Sequence, residues 1–165
     1  MFVYNFYKFI SIRDLSIKKD IFLKSLSQLN IKGTILLASE GINVNMSQKK
    51  QLLEKALKVI DEEVPLDDIH INKTKTDDIA FQKLKVKVKN EIIRFNSLLK
   101  SSDKKNQKNI TPHHWDKIIS NDTQIIDMRN NFEYNLGTFK HAINLCLINF
   151  TDLKDKTAEL DKLDR

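Results

Sequence analysis

The stretch KGTILLASEGINVNM, Lys32 to Met46, decides how this chain folds. Lys32–Ala38 is an apolar, β-forming run and reads as a strand. SEGIN, Ser39–Asn43, is a tight polar connection in which Gly41 is free to take a positive φ. INVNM is a short further strand, and Asn45 to Ser47 is read as leading into a helix. Two strands joined this closely run antiparallel.

Working outward, FVYNFYKFI is rich in aromatic and β-branched residues and reads as a strand. In RDLSIKKDIFLKSLSQLN, Leu15, Ile21, Phe22, Ser25, Leu26 and Leu29 recur at helical spacing. Beyond Ser47, Leu52, Leu53, Ala56, Leu57 and Ile60 mark the buried face of a second helix, which Pro65 stops. DDIHINKTK, Asp67–Lys75, alternates Ile69 and Ile71 with polar residues and reads as a half-buried strand. The order is β-α-β-β-α-β, an α+β ferredoxin-like domain with two helices on one face of an antiparallel sheet.

FQKLKVKVKNEIIRF, Phe81–Phe95, follows as a basic strand extension of that domain, assigned to residues 1–95. Residues 96–109 lose periodicity, gain Ser, Lys and Asn, and read as a linker. At residue 110 order restarts. Thr111 suits a helix N-cap and Pro112 the first helical position. TQIIDMR reads as a strand, and FTDLKDKTAELDKLD as a helix with Phe150, Leu153, Ala158 and Leu160 on its apolar side. Residues 110–165 are the opening of an α/β domain on a parallel sheet.

With 41% hydrophobic and 30% charged residues in 165, the chain can bury a core. A net charge of +6 favours an acidic partner, or equally describes a solvated lysine-rich surface. The single cysteine, Cys146, excludes a disulfide framework and a cysteine zinc site. No apolar run approaches the ~20 residues of a membrane span, and the N-terminus has no basic leader or small-residue cleavage site. The expectation is a cytoplasmic protein with no membrane partner.

Asp127 and Arg129 fall at the carboxyl end of a parallel strand, the edge where open α/β sheets bind ligands. Arg129 either holds an anion or pairs with Asp127 or Glu133 and braces the loop. Cys146 sits in NLCLINF, whose apolar neighbours suggest a buried, inert thiol. His113 and His114 diverge by about 100° on a helix, and His70 and His141 are isolated, so no metal site and no resident cofactor are identified. Glu40, Gly41 and Asn43 either serve the turn, with Glu40 pointing to water, or present polar groups to a partner. Lys83, Lys85, Lys87 and Lys89 lie on one face of a strand, about 7 Å apart. They either meet phosphates, with Arg94 beyond them, or guard an edge strand against pairing.

DMRNNFEYNLGTFKHAIN resembles the first signature of rhodanese domains, through Asp127, Arg129, Glu133, Tyr134, Gly137, Phe139, Ala142 and Asn144. GTILLASEGIN and FQKLKVKVKNEII resemble the diagnostic segments of the rhodanese-like tRNA uridine hydroxylases, which place an acylphosphatase or ferredoxin-like domain before a rhodanese domain. The resemblance covers most of residues 2–150. It implies oxygen-dependent 5-hydroxylation of the wobble uridine of tRNA, with molecular oxygen as co-substrate and tRNA as partner. It also implies that the lysine ladder faces RNA and that Asp127 and Arg129 brace a loop beside the active site.

The family's active-site cysteine stands in a C-T-G-G-I-R-C type of loop, which Cys146 does not match. That loop is expected after residue 165, so no catalytic residue is assigned here. The expectation is a fragment, a truncated gene product or one half of a split protein, inactive alone unless a partner chain or a dimer completes its second domain. A non-catalytic RNA-binding module and a rhodanese-type sulfurtransferase are the alternative readings.

Overall fold

A computed structural model describes residues 1–92, 110–119, 123–153 and 155–156. The chain divides into two compact units, residues 1–93 and 94–165. The expected linker 96–109, together with Arg94, lies outside the described residues.

The first unit runs β1 (Phe2–Phe9), α1 (Leu15–Gln28), β2 (Lys32–Ala38), β3 (Gly41–Gln48), α2 (Lys50–Glu63), β4 (Asn72–Lys75) and β5 (Leu84–Val88). Its sheet has the order β4-β1-β3-β2-β5. β1 pairs antiparallel with β3 and β4, and β2 antiparallel with β3. β5 lies parallel to β2 and forms the far edge. The expected β-α-β-β-α-β unit is present, widened by one strand.

Alternation along the strands separates two faces. Tyr4, Phe6, Ile35, Leu37, Ile42, Val44 and Met46 point to one side and are buried. They pack there against Phe22 and Leu26 of α1 and Leu53, Ala56 and Ile60 of α2. Leu15, Ile21, Leu29, Leu52 and Leu57 flank this core. Lys18 ties the helices together, meeting a Glu63 carboxylate oxygen at 3.0 Å and donating to its backbone carbonyl at 2.8 Å.

Four local expectations are corrected. β3 does not give way to helix at Asn45; it continues to Gln48, because it pairs with β1 along its whole length, Gly41 with Phe9 and Gln48 with Phe2. β4 is only Asn72–Lys75, an exposed edge paired with Phe2–Asn5, while Ile69 and Ile71 reach the core from the preceding loop. The last strand is Leu84–Val88, not the whole of 81–95. Gly41 does not take a positive φ. It opens β3, where a Cβ would stand 2.2 Å from the carbonyl oxygen of Lys8 and 2.9 Å from Cδ1 of Ile92. Close approach, not turn conformation, requires glycine there.

The second unit contains α3 (Pro112–Ile118), β6 (Ile126–Asp127), α4 (Asn131–Leu136), β7 (Ile143–Asn144) and a 3-10 turn at Phe150–Asp152. The Thr111 hydroxyl caps α3, accepting from the His114 N–H, and Pro112 follows at the first helical position. β6 and β7 pair in parallel, Ile126 with Ile143 and Asp127 with Asn144. Leu145, Leu147 and Leu153 form a small core with Ile126 and Ile143. The strand expected over TQIIDMR is confined to two residues. Of the expected final helix, Phe150–Asp152 form a 3-10 turn and the described residues Leu153, Asp155 and Lys156 are helical, with Leu153 buried; Ala158 and Leu160 lie outside the described residues.

Candidate functional site

The first candidate surface is the side of the sheet opposite the helices. Cross-strand register sets its rows. One row is Asn72, Asn5, Asn45, Thr34 and Lys85; the next is Tyr7, Asn43, Leu36 and Lys87. Lys85 and Lys87 are exposed on β5, and Lys83 and Lys89 flank it, also exposed. The backbone of those flanks completes the pairing, Gly33 N–H to the Lys83 carbonyl at 3.1 Å and Lys89 N–H to the Leu37 carbonyl at 2.8 Å. Because β5 is an edge strand, edge protection and phosphate contact are compatible roles for the same four lysines.

The turn residues part company. Glu40 does not point to water: it is half-buried, and its Oε1 accepts from the backbone N–H of Ile92 at 3.0 Å. Its carbonyl accepts from the Ile10 N–H at 2.9 Å. Glu40 and Gly41 therefore hold together β1, the hairpin and the chain leaving β5. Asn43 lies within β3 on the open face, and its Oδ1 accepts from Asn45 at 3.2 Å. The structure thus places Asn43 on the same surface as Lys85 and Lys87. Asn5, Tyr7 and Asn45 of this surface went unnoticed in the sequence reading. Their signal was the alternation of Asn with apolar residues in β1 and β3.

The second candidate is the loop after β6. Asp127 is buried, and its carboxylate is saturated. It accepts from the Arg129 N–H at 3.0 Å, from Nε of Arg129 at 3.0 Å, from Nη2 at 2.6 Å, and from the Thr138 hydroxyl at 2.8 Å. Nη2 of Arg129 also donates to the carbonyl of Gly137 at 2.7 Å. These bonds, the Arg129 side chain foremost, hold the Asp127 carboxyl well below the usual carboxylate range. Arg129 thus braces the loop through Asp127 and the Gly137 carbonyl. Glu133 turns instead to the head of α4, where its N–H donates to the Asn130 side chain at 3.0 Å. The Tyr134 hydroxyl donates to the Ala142 carbonyl at 3.1 Å. The loop borders a cleft of about 670 Å³ lined by Trp115, Ile125, Asp127, Arg129, Thr138 and Phe139. Trp115 and Phe139 meet there with ring centroids 4.9 Å apart.

The expectation of a buried Cys146 is overturned: the thiol is exposed. Leu145 and Leu147 on either side point inward, so alternation turns Cys146 out. Its backbone takes a left-handed φ of 53°, and its N–H donates to the Asn144 side chain at 2.8 Å. Among the described residues, no cluster of three or more His, Cys, Asp or Glu side chains is arranged to hold a metal. Among them, too, no helix is long and apolar enough to cross a membrane.

The UPF0176 acylphosphatase like domain matches residues 1–92. A tRNA uridine(34) hydroxylase of Pelagibacter ubique is 36% identical over 165 residues, covering 97% of this chain and 54% of its own. A tRNA uridine(34) hydroxylase of Legionella pneumophila is 30% identical over 164 residues, covering 98% of this chain and 65% of its own. The chain thus spans between about half and two thirds of the length of these relatives. An acylphosphatase from Bacillus subtilis overlays 52% of this chain and 98% of its own, at 8% identity and a TM-score of 0.42. With more than half of its length in that domain, the chain belongs to the family defined by the UPF0176 acylphosphatase like domain, alongside relatives named tRNA uridine(34) hydroxylase.

Proposed function

We propose that this protein serves the oxygen-dependent 5-hydroxylation of the wobble uridine of tRNA. In this reading residues 1–95 contact the RNA, 96–109 link, and 110–165 belong to a rhodanese-like domain. The observation that carries it is the alignment with a tRNA uridine(34) hydroxylase along 97% of the chain, through both units. Two features of the molecule support it. The exposed Lys83, Lys85, Lys87 and Lys89 give the first unit a cationic edge suited to phosphates. The parallel pair β6–β7 ends at a braced Asp127–Arg129 loop, the kind of sheet edge at which α/β domains place ligands. The reaction replaces C5–H of uracil by C5–OH with one oxygen atom of O2. The other atom leaves as water, with two electrons and two protons from a reductant.

The test is nucleoside mass spectrometry of tRNA from cells with the gene deleted and then restored. The expected result is loss of 5-hydroxyuridine and its derivatives at the wobble position, and their return on complementation. Unchanged wobble modification in the deletion strain overturns the reading.

A further inference from the structure

The open face of the sheet bears a chemistry that the lysines alone do not account for. Tyr7 stands 58% exposed toward the C-terminal end of β1. An edge-on contact with Phe9, centroids 5.9 Å apart and planes at 73°, holds the ring in place. Beside it lies the side-chain amide of Asn43, and in the neighbouring row those of Asn5 and Asn45. Asn45 donates to Asn43 at 3.2 Å, and Asn72 donates to Asn5 at 3.0 Å. Those two bonds leave Nδ2 of Asn43, Oδ1 of Asn45 and Nδ2 of Asn5 without a partner among the described residues, so both donors and acceptors face outward.

The strand residues of this face carry charge of one sign. Lys32, Lys85 and Lys87 point to it, and none of the strand residues on it is acidic. The acids of the two helices, Asp20, Glu54 and Glu63 among them, belong to the opposite side of the sheet. The face is also bounded. At one end the N–H of Ala80 reaches the Ser47 hydroxyl at 3.3 Å, and at the other Ile92 is buried close to Gly41. Between these ends, from Tyr7 on β1 to Lys87 on β5, three strand spacings make about 14 Å.

We propose that this face binds unpaired nucleotides of RNA, with one base stacked on Tyr7, base edges hydrogen-bonded by Asn43, Asn45 and Asn5, and the phosphates on Lys85 and Lys87. The inference rests on the tRNA reading above and deepens it by naming the surface and the strandedness of the RNA it takes. A phosphate contact alone calls for cations, not for an exposed aromatic ring among amides. Stacking together with hydrogen bonding to base edges is how sheets recognise single strands. Duplex RNA hides both its base faces and its Watson–Crick edges. Enzymes that act on a base need it out of the stack, so flanking bases must be held elsewhere.

The experiment is fluorescence anisotropy on the full chain, with labelled decauridine and a labelled RNA duplex of the same phosphate number. The expected result is preference for decauridine. Tyr7→Ala loses about tenfold in decauridine affinity with an unchanged salt slope, and Tyr7→Trp keeps the affinity. Lys85→Gln with Lys87→Gln lowers the salt slope for decauridine by about 1–1.5. Tyr7 is a surface residue, and circular dichroism of each variant checks that the fold is kept. If Tyr7→Ala, correctly folded, binds decauridine like the parent, or if the duplex is preferred, the proposal is overturned. The tRNA reading is judged separately, by the wobble nucleosides of the deletion strain. Absent RNA binding with intact hydroxylation in cells overturns this proposal alone.

Discussion

The hydroxyl of Tyr4 donates to Oε1 of Glu54 at 2.6 Å, joining the interior strand β1 to α2 beside an otherwise apolar core. Lys73 completes the group, 3.1 Å from the same carboxylate oxygen and 4.8 Å over the Tyr4 ring. Burial, and then the bond to Glu54, push the Tyr4 hydroxyl up to about 12. An unfolded tyrosine ionises near 10, so the bond's stabilisation is complete below about pH 10 and is lost as pH rises through the folded value. Urea titrations should therefore show stability falling above about pH 10. Tyr4→Phe should cost about 1 kcal/mol at neutral pH and flatten part of that alkaline slope. An unaltered slope in Tyr4→Phe means the loss comes from other groups.

Gly41→Ala should destabilise the first unit by about 3 kcal/mol. The added methyl stands 2.2 Å from a backbone oxygen of a paired strand, which cannot move aside without breaking the β1–β3 register. Chemical denaturation with the same m-value and a lower midpoint is the expected result. A cost under about 0.5 kcal/mol would show that the strands separate more easily than their pairing suggests.

Asp127 sets an acid limit on the second unit. Its carboxyl is depressed in the folded state, so its stabilising contribution is present above the ordinary carboxylate range near 4 and is lost as pH falls further. Amide exchange of residues 123–153 should therefore accelerate below about pH 4 relative to its intrinsic rate. Asp127→Asn should cost about 1–3 kcal/mol at neutral pH, because the amide keeps one acceptor oxygen, turns an NH2 toward donors of Arg129 or Thr138, and loses the charge that pairs with Arg129. It should also remove most of the acid dependence. A variant as stable as the parent at pH 7 would mean that Arg129 and Thr138 find other partners.

Cys146 should react rapidly with a small alkylating reagent in native buffer, since the thiol is exposed. Cys146→Ser should change stability by less than about 0.5 kcal/mol. Reaction that begins only in denaturant would contradict the exposed geometry.

The sequence was most legible where one periodicity held over many residues. Phe22, Leu26, Leu53, Ala56 and Ile60 were read as helix faces and are buried as such. Thr111 and Pro112 announced a helix start through local chemistry alone. Legibility failed where the answer lay in a neighbouring strand. Nothing within SEGIN reveals that Lys8 and Ile92 crowd Gly41, or that the Ile92 backbone engages Glu40, because both contacts cross more than 30 residues of chain. Alternation tells which residues share a face, but not which strand lies beside it, so the row joining Tyr7, Asn43 and Lys87 emerges only from register. Cys146 was misjudged for the opposite reason: composition outweighed alternation in a short apolar run whose inward residues are Leu145 and Leu147.

The strand order β4-β1-β3-β2-β5 differs from the order in which a ribosome delivers the strands. β1, made first, is flanked by β3 and β4, and its outer partner ends only at Lys75. At about 5–20 residues per second, the first strand waits several seconds beside the ribosome with Tyr4 and Phe6 uncovered. Synthesis of residues 41–48 supplies one neighbour and lets β1, β2 and β3 close around α1. The strand carrying Lys85 and Lys87 is delivered last and lies against β2 at the sheet edge. Pausing or slowing of translation after β1 has emerged and before residues 41–48 emerge would prolong the interval in which β1 is open to wrong partners, so the nascent chain's dependence on chaperones should be concentrated there.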